Sequence, residues 1–157
     1  MLEVKLAEDE VDAVLTFRAL KQMHDEGGLP GTFDALKVLA NVLRMVRDPG
    51  GAVLMAMDGD VLCGVLPLWE QGYWFSSTDR HLIDKGFYVL PDHRNGEAGK
   101  LLLDTAKQAS DDCGLPVYIT IFNGRRKRGG RSQWERVGAT LGYTPMGAMM
   151  AHFPGEH

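Results

Sequence analysis

The stretch from Gly86 to Leu103 constrains the possible fold more than any other part of the sequence. It begins with an apolar, strand-like run, continues into a turn with two glycines, and leads directly into a helical pattern. The first turn of a helix exposes unpaired amides at the positive end of the helix dipole, and glycines let a backbone approach an anion closely. The segment therefore predicts a phosphate-type anion site formed by the amides of Asn95 to Lys100, with the side chains of Arg94 and Lys100 adding positive charge.

Hydrophobic periodicity predicts one strand and two helices before this segment. Alternation of apolar and charged residues over 2–6 predicts a short first strand with one solvated face. Apolar residues at intervals of three and four then predict a helix over about residues 8–24. Residues 33–46 carry the clearest amphipathic stripe in the chain and predict a second helix, for which Thr32 is the expected N-cap.

The middle and C-terminal parts of the chain are predicted to contribute most of a sheet and two more helices. Strands are predicted at residues 52–57, 61–69, 73–77, 86–90, 117–122 and 146–153. Asp58-Gly59 favours a tight antiparallel turn between the first two, whereas the polar stretch 76–85 fits a bulge, a bend or a loop. Helices are predicted over 98–113, closed by Gly114, and from a Ser132 capping box to Leu141, closed by Gly142.

The composition is that of an ordinary globular domain. The 157 residues are 45% hydrophobic and 24% charged, which predicts one domain spanning residues 1–157. A net charge of -4 argues against nucleic acid as the main partner. The first residues lack the apolar core of a secretory signal, and no apolar window reaches the roughly 18 residues of a membrane span. Two cysteines without paired spacing fit a reducing compartment, so we expect a cytoplasmic location without membrane contact.

The segment around the glycine turn resembles motif A of the GNAT N-acetyltransferase superfamily, in which a strand ends near V-x-P and R-x-x-G-x-G opens the long central helix. The matching positions are Val89, Pro91, Arg94, Ala98, Gly99, Lys100 and Leu102. Glu97 stands where the family has its first motif glycine, and Gly96 lies one position earlier. The predicted element order is similar to the family's over nearly the whole chain. The resemblance implies an α/β (α+β) GNAT fold, with a mixed, mostly antiparallel sheet of roughly six to seven strands and about four helices.

The resemblance also implies acetyl-CoA, or another acyl-CoA, as co-substrate, and no metal ion. Backbone groups of Phe87, Tyr88 and Val89 would pair with the pantetheine arm as an added strand does. The pyrophosphate would lie against Arg94, Asn95, Gly96, Glu97, Ala98, Gly99 and Lys100. Asn123 resembles an asparagine that many members keep near the cofactor, but a residue before Gly124 is equally typical of a turn.

In this family the acceptor amine attacks the thioester directly, which requires a neutral amine, a stabilised oxyanion and a proton for the departing thiolate. The amide of Val89 is the expected oxyanion donor. Asp84 and His81 are the nearest candidates for a base, although solvated surface roles are the commoner meaning of such residues. Gly138 replaces the tyrosine that protonates the thiolate in many members. Tyr143 and Tyr88 are the remaining candidate acids, a core role is favoured for Tyr143, and water protonates the sulfur if neither serves.

Several interpretations stay open at this point. The acceptor is expected to be a primary amine of a small molecule or a protein, and a homodimer fits a superfamily in which dimers are common. Gly138 and Glu97 also suit a catalytically weak or inactive domain that binds acyl-CoA or a macromolecule.

Two further groups of side chains invite a functional interpretation. Five basic residues between Arg125 and Arg131 fit a solvated loop, a loop facing the CoA 3′-phosphate, or a nucleic-acid contact. The aromatic residues Trp69, Tyr73, Trp74 and Phe75 are typical of core packing, and the alternative is that some of them line the acceptor pocket.

Overall fold

The computed structural model describes residues 1–27, 31–120 and 133–146. Within them the helices are α1 (Glu10–Gly27), α2 (Ala35–Arg47), α3 (Ala98–Cys113) and α4 (Gln133–Thr140). The strands are β1 (Leu2–Leu6), β2 (Gly51–Asp58), β3 (Val61–Gly72), β4 (Arg80–Asp84), β5 (Tyr88–Val89) and β6 (Val117–Tyr118), and a short 3₁₀ helix covers Pro91–His93. The predicted helices and the β2–β3 hairpin are confirmed. The predicted last strand lies, after its first residue, outside the described part of the chain.

The strands form one mixed sheet in the order β1-β2-β3-β4-β6, with β5 paired to β3 off this path. The β1–β2, β2–β3, β3–β4 and β3–β5 pairs are antiparallel, and among the described strands only β4 and β6 run parallel. A parallel pair needs a long crossover, which α3 supplies between β5 and β6. The predicted fold class, a mixed and mostly antiparallel six-stranded sheet with four helices, is confirmed.

Helix α2 begins two residues later than the pattern predicts. Asp34, not Thr32, is the N-cap, and its Oδ1 accepts a hydrogen bond from the Lys37 amide at 3.0 Å. A carboxylate at this position satisfies an orphan amide and also lies at the positive end of the helix dipole. This double interaction explains why aspartate takes the cap in preference to the nearby threonine.

The prediction of a strand over residues 73–77 is wrong. The chain turns there instead, and the Ser76 hydroxyl accepts the amide of Asp79 at 3.0 Å. A strand lies within the polar stretch that follows, because β4 is held between β3 on one side and β6 on the other. Pairing on both edges, which sequence periodicity does not detect, makes a strand of Arg80–Asp84.

A β-bulge separates β4 from β5. The Lys85 amide donates to the Pro67 carbonyl at 2.9 Å, and Tyr88 is the partner of Val65. Two residues, Gly86 and Phe87, therefore face the single position 66 of β3. Gly86 has φ 141°, a conformation that L side chains rarely adopt. The two segments are thus one edge strand of β3, bent at the bulge.

The sheet separates two apolar clusters. On one face α1 and α2 cover a cluster that includes Val53, Met55, Val65 and Tyr88. On the other face α3 covers a cluster that includes Leu66 and Leu102. In the described ranges, no helix is both long enough and apolar enough to cross a membrane.

Candidate active site

The bulge lies where the sheet divides. Leu82 and Ile83 of β4 pair with Val117 and Tyr118 of β6, whereas β5 follows β3 and is off the path that leads to β6. Among residues 1–27, 31–120 and 133–146, β6 pairs with β4 as far as Ile83, and β5 has β3 as its strand partner; we call this part of the sheet the divided edge. An edge strand with an open side can accept an extended ligand through its backbone.

The backbone of Val89 points away from β3, toward the divided edge. The Leu90 amide donates to the Cys63 carbonyl at 2.9 Å, so residue 90 directs its backbone groups toward β3. Because these directions alternate along a strand, the N–H and C=O of Val89 point away from β3. The Val89 carbonyl accepts a hydrogen bond from Arg94 Nε at 3.0 Å on that side. The predicted oxyanion donor thus faces the divided edge.

The N-terminus of α3 carries amides that no side chain caps. Glu97 is the N-cap, and its side chain makes no capping hydrogen bond. The first bond into the helix runs from the Leu101 amide to the Glu97 carbonyl at 2.9 Å. The amides of Ala98, Gly99 and Lys100 precede that bond and are the orphan donors of the helix, which favour an anion.

Glu97 does not direct its charge into this group of amides. Its side chain is 69% exposed, and Lys100 Nζ lies 3.4 Å from its Oε1. The carboxylate therefore lies in solvent and beside a cation, which weakens its repulsion of an anion held at the helix start. The departure from the family pattern at this position therefore does not place a carboxylate on these amides.

The Arg94 side chain is hydrogen-bonded to α1 and lies near the Tyr88 ring. Its Nη2 donates to Glu26 Oε2 at 2.6 Å, and its guanidinium carbon lies 5.4 Å from the centre of the Tyr88 ring. The Tyr88 hydroxyl donates to Glu26 Oε1 at 2.7 Å. The hydrogen bond from Arg94, and after it the one from Tyr88, lowers the pKa of Glu26. Burial and the neighbouring Glu26 carboxylate raise the pKa of Tyr88.

Glu26 is the functional candidate that the sequence did not indicate. It lies 68 positions before Arg94, in a helix whose charged residues all look alike from their spacing. Gly64 is a second residue that the sequence did not indicate. It allows β5 to lie close to β3, because a Cβ there would lie 2.9 Å from the Tyr88 carbonyl oxygen. Both residues act through contacts between distant segments, for which a single sequence holds no local signal.

Asp84 is buried at the point where the strands divide. It is 8% exposed, so the expectation of a solvated surface residue is wrong. Its Oδ1 accepts the Thr120 amide at 2.7 Å and its Oδ2 accepts the Gly86 amide at 3.2 Å. Burial raises the pKa of Asp84, and the hydrogen bonds from Thr120 and Gly86 oppose that rise without cancelling it. One carboxyl group thus joins the bulge to the chain beyond β6.

His81 is also buried, at 6% exposure, so the surface interpretation is wrong for it too. Its ring lies 4.3 Å from the Tyr73 ring and 5.2 Å from the Tyr118 ring. Nε2 lies 3.2 Å from Gln71 Nε2, whereas Nδ1 has no hydrogen-bond partner among the described residues. The ring is therefore enclosed in an aromatic cluster.

The two base candidates differ in their position relative to Val89. They are three residues apart in one strand, so their side chains emerge from opposite faces and cannot act as a pair. The β3 partner of His81 is Gln71, seven positions from Gly64, the partner of Val89. That separation is roughly 23 Å along the strand. The partner of Asp84 is Leu68, four positions from Gly64, or about 13 Å. Asp84 is the nearer group.

Tyr143 is held against α3. Its hydroxyl donates to the Leu103 carbonyl at 2.6 Å, and burial raises the pKa of Tyr143 to about 12. A Cβ at Gly138 would lie 3.6 Å from the Tyr143 Cβ. The tyrosine therefore packs over the glycine that replaces the family's acid, and its proton is already used within the fold.

The predicted aromatic group is divided by the structure. Trp69 packs against the α1–α2 cluster. Trp74 is 94% exposed and Phe75 is 68% exposed, so the prediction of core packing is wrong for Trp74 and Phe75. Asn123 and the basic loop from Arg125 to Arg131 lie outside the described residues. Within the described ranges, no group of three or more His, Cys, Asp or Glu side chains is placed to hold a metal ion.

Similar solved structures share this arrangement of elements over the whole chain. A predicted acetyltransferase from Clostridium acetobutylicum, solved with acetyl-CoA, has a TM-score of 0.73 and 13% identity and covers 100% of this chain and 99% of its own. A GCN5-related N-acetyltransferase from Ralstonia eutropha has a TM-score of 0.71 and 17% identity, covering 99% and 100%. An aminoglycoside acetyltransferase from an uncultured soil metagenomic sample has a TM-score of 0.66 and 12% identity, covering 99% and 96%. At these identities the likeness establishes the fold.

The family is established by the sequence itself. Comparison with curated protein sequences gives no match. The profile of the acetyltransferase (GNAT) family, in contrast, matches residues 17–128, which make up more than half of the chain and include the bulge, the divided edge and the start of α3. The chain therefore belongs to the GNAT family of N-acetyltransferases, enzymes that use acetyl-CoA as donor.

Proposed function

We propose that this protein transfers an acetyl or short acyl group from CoA to a primary amine of a small molecule or a protein, by direct attack in a ternary complex. The single observation that carries the proposal is the Val89 backbone, which points away from β3 next to a helix start that its N-cap Glu97 side chain leaves uncapped. An outward-facing strand backbone suits an extended pantetheine arm, and the helix start suits its pyrophosphate.

Each part of the acyl-CoA has a proposed partner. Phe87, Tyr88 and Val89 form the strand beside the pantetheine arm, and the backbone of Val89 faces that arm. The run from Arg94 to Lys100 offers amides to the pyrophosphate, with the Lys100 ammonium as an added cation. Asn123 remains a proposed neighbour of the cofactor.

The proposed reaction joins the amine nitrogen to the thioester carbon and then breaks the carbon–sulfur bond. The Val89 amide donates to the oxyanion of the tetrahedral intermediate. Asp84 takes the proton that the amine loses, through water, because about 13 Å of strand separates it from Val89. Its raised pKa brings it closer to the operating pH than an ordinary carboxylate. The CoA thiolate leaves and takes a proton from water, since the Tyr143 hydroxyl is bonded to Leu103.

The acceptor class is proposed as a small-molecule amine before a protein lysine. One similar structure is an aminoglycoside acetyltransferase in complex with sisomicin. His81 lies farther along β4, and its ring contacts that of Tyr73 in the turn after β3, which also carries the exposed Trp74 and Phe75. Aromatic and imidazole groups at such a distance could contact the remote part of an acceptor whose amine is at Val89.

A second candidate is a domain that binds acyl-CoA without efficient turnover. It is favoured by Gly138, which removes the acid used by many members, and by the engagement of Tyr143 with the Leu103 carbonyl. The two candidates share the cofactor site and differ only in chemistry. Binding and turnover must therefore be measured separately.

Calorimetric titration with acetyl-CoA tests the shared site. We expect micromolar binding by the wild type and about tenfold weaker binding by Lys100→Glu, because that change places a negative charge beside the pyrophosphate. Lys107→Glu is the matched control, since it makes the same change on the exposed face of α3 farther from the helix start, and its affinity should equal that of the wild type.

The titration and an amine screen together separate the candidates. The absence of acetyl-CoA binding at millimolar concentration would contradict the shared site. Thiol release with a primary amine would establish the transferase, whereas tight binding without release for any amine would favour the binding domain.

A further inference from the structure

We propose that Glu26 is a positioning residue that fixes β5 through Arg94 and Tyr88, and that the Arg94 side chain acts on this strand and not on the pyrophosphate. The inference rests on the proposed function, since β5 is the strand to which acyl-CoA is assigned. It gives the first residue of the motif a role that depends on a carboxylate of another helix.

The contacts form a closed set around β5. Glu26 accepts the Tyr88 hydroxyl at 2.7 Å on one oxygen and Arg94 Nη2 at 2.6 Å on the other. Arg94 Nε donates to the Val89 carbonyl at 3.0 Å. Both residues of the two-residue strand β5 are therefore held, one through its side chain and one through its backbone.

The position of α1 makes Glu26 suited to this role. A Cβ at Gly86 would lie 2.9 Å from Leu20 Cδ2 and 3.1 Å from Met23 Cε, so this face of α1 rests on the bulge. Leu20, Met23 and Glu26 recur at intervals of three and share that face. The apolar contacts seat the helix on the bulge, and the carboxylate at its end then fixes the strand beyond.

An ordinary surface ion pair would contribute little here. Glu26 and Arg94 side chains are 35% and 44% exposed, and such pairs are screened by water and salt. The difference lies in the third partner, because Tyr88 is 6% exposed and its hydroxyl ends on the carboxylate. Without Glu26, this hydroxyl loses its acceptor and the guanidinium loses its charged partner. We therefore expect a local change in β5 and not a general loss of stability.

The alternative role for Arg94 is direct contact with the pyrophosphate. The two roles make different predictions for a fragment of CoA. Adenosine 3′-phosphate 5′-diphosphate carries the pyrophosphate but lacks the pantetheine arm that would lie on β5. A positioning residue affects acetyl-CoA and spares the fragment, whereas a phosphate ligand affects both.

The experiment measures the dissociation constants of acetyl-CoA and of this fragment for the full chain and five variants. The variants are Glu26→Gln, Glu26→Ala, Arg94→Ala, the double alanine variant and Asp25→Asn. Asp25 is the matched control, because it is the adjacent carboxylate on α1 and is paired at 2.7 Å with Lys21. Thermal unfolding of each variant monitors the fold.

We expect Glu26→Ala and Arg94→Ala each to weaken acetyl-CoA binding by about tenfold, and the double variant to be no weaker than either. Glu26→Gln, which keeps an acceptor for Tyr88, should lie between wild type and Glu26→Ala. Fragment binding should be unchanged in all of them, and Asp25→Asn should match the wild type.

Two results would overturn the inference while leaving the proposed function in place. One is wild-type affinity of Glu26→Ala for acetyl-CoA. The other is equal weakening of acetyl-CoA and fragment binding by Arg94→Ala. Failure of the wild type to bind acetyl-CoA would instead contradict the proposed function, so the two failures are distinguishable.

Discussion

Asp84 is a buried carboxylic acid that joins two segments of the chain. Its two oxygens accept amides from Gly86 and Thr120, which belong to the two sides of the divided edge. Its burial makes the charged form expensive, so the folded protein retains the proton more tightly than the unfolded chain does. A group of this kind is stabilising as a hydrogen-bond acceptor and poised to gain a proton.

Replacement of this residue by asparagine tests the direction of the pKa shift. Because the pKa of Asp84 is raised above its ordinary value of 3.8, the wild type is favoured when protonated and loses stability as the pH rises through the folded pKa. Asp84→Asn does not titrate. We therefore expect the free energy of unfolding of the wild type to fall relative to that of Asp84→Asn as the pH rises.

Urea unfolding of both proteins between about pH 4 and pH 7 makes the measurement. A wild type that gains stability over Asp84→Asn with rising pH would show that the Thr120 and Gly86 amides outweigh burial.

If Asp84 is also the base, transfer by Asp84→Asn should fall by about 100-fold or more with the acceptor that the amine screen identifies.

At this scale the sequence predicted the residue types of the site but not their environments. Asp84 and His81 lie in a run of polar residues, which favours a solvated surface, and yet both are buried. Their burial follows from β6, which covers the outer edge of β4 from more than thirty positions away. Glu26 gave no signal for the same reason, because its partners are brought to it by the fold.

The bulge between β4 and β5 is the element that shapes the proposed site. It places two residues, Gly86 and Phe87, opposite one position of β3, which bends the edge strand away from β6. Two observations require glycine at position 86. Its φ is 141°, which L side chains rarely adopt, and a Cβ there would lie only 2.9 Å from Leu20.

Gly86→Ala is expected to destabilise the fold by about 1–3 kcal/mol and to weaken acetyl-CoA binding, because relief of the strain moves either α1 or β5. Gly59→Ala is the matched control. Gly59 also has positive φ, at 58°, but a Cβ there would have nothing within 4 Å. The control should lose about 1–2 kcal/mol of stability without any change in affinity. Chemical unfolding and acetyl-CoA titration of both variants make the comparison, and equal affinities would show that the bulge does not set the site.

Elements were predictable where their own residues determine them. The amphipathic stripe of α2, the Asp58-Gly59 turn and the glycine-capped end of α3 are local features, and each was confirmed. The edge strands were not predictable in detail. The chain turns where residues 73–77 suggested a strand and pairs where residues 80–84 suggested none, because pairing with β3 and β6 decides the outcome.

At the scale of the whole molecule, one sheet serves two cores. Neighbouring residues of β2 enter different clusters, Val53 under α1 and α2 and Leu54 under α3. The proposed site lies at the edge of this shared sheet. If residues 1–157 form a single domain, as the sequence predicts, the two clusters must unfold together.

Substitutions on opposite faces test this cooperativity. Val53 and Leu102 are both fully buried, one in each cluster. We expect Val53→Ala to lower the free energy of unfolding by about 2 kcal/mol and Leu102→Ala by about 2–5 kcal/mol. The sites share no cluster, so the effects should add within about 0.5 kcal/mol in the double variant.

Tryptophan fluorescence and far-ultraviolet circular dichroism should report one coincident transition for each protein. Separate transitions, with the α3 face unfolding before the α1–α2 face in Leu102→Ala, would contradict a single cooperative domain.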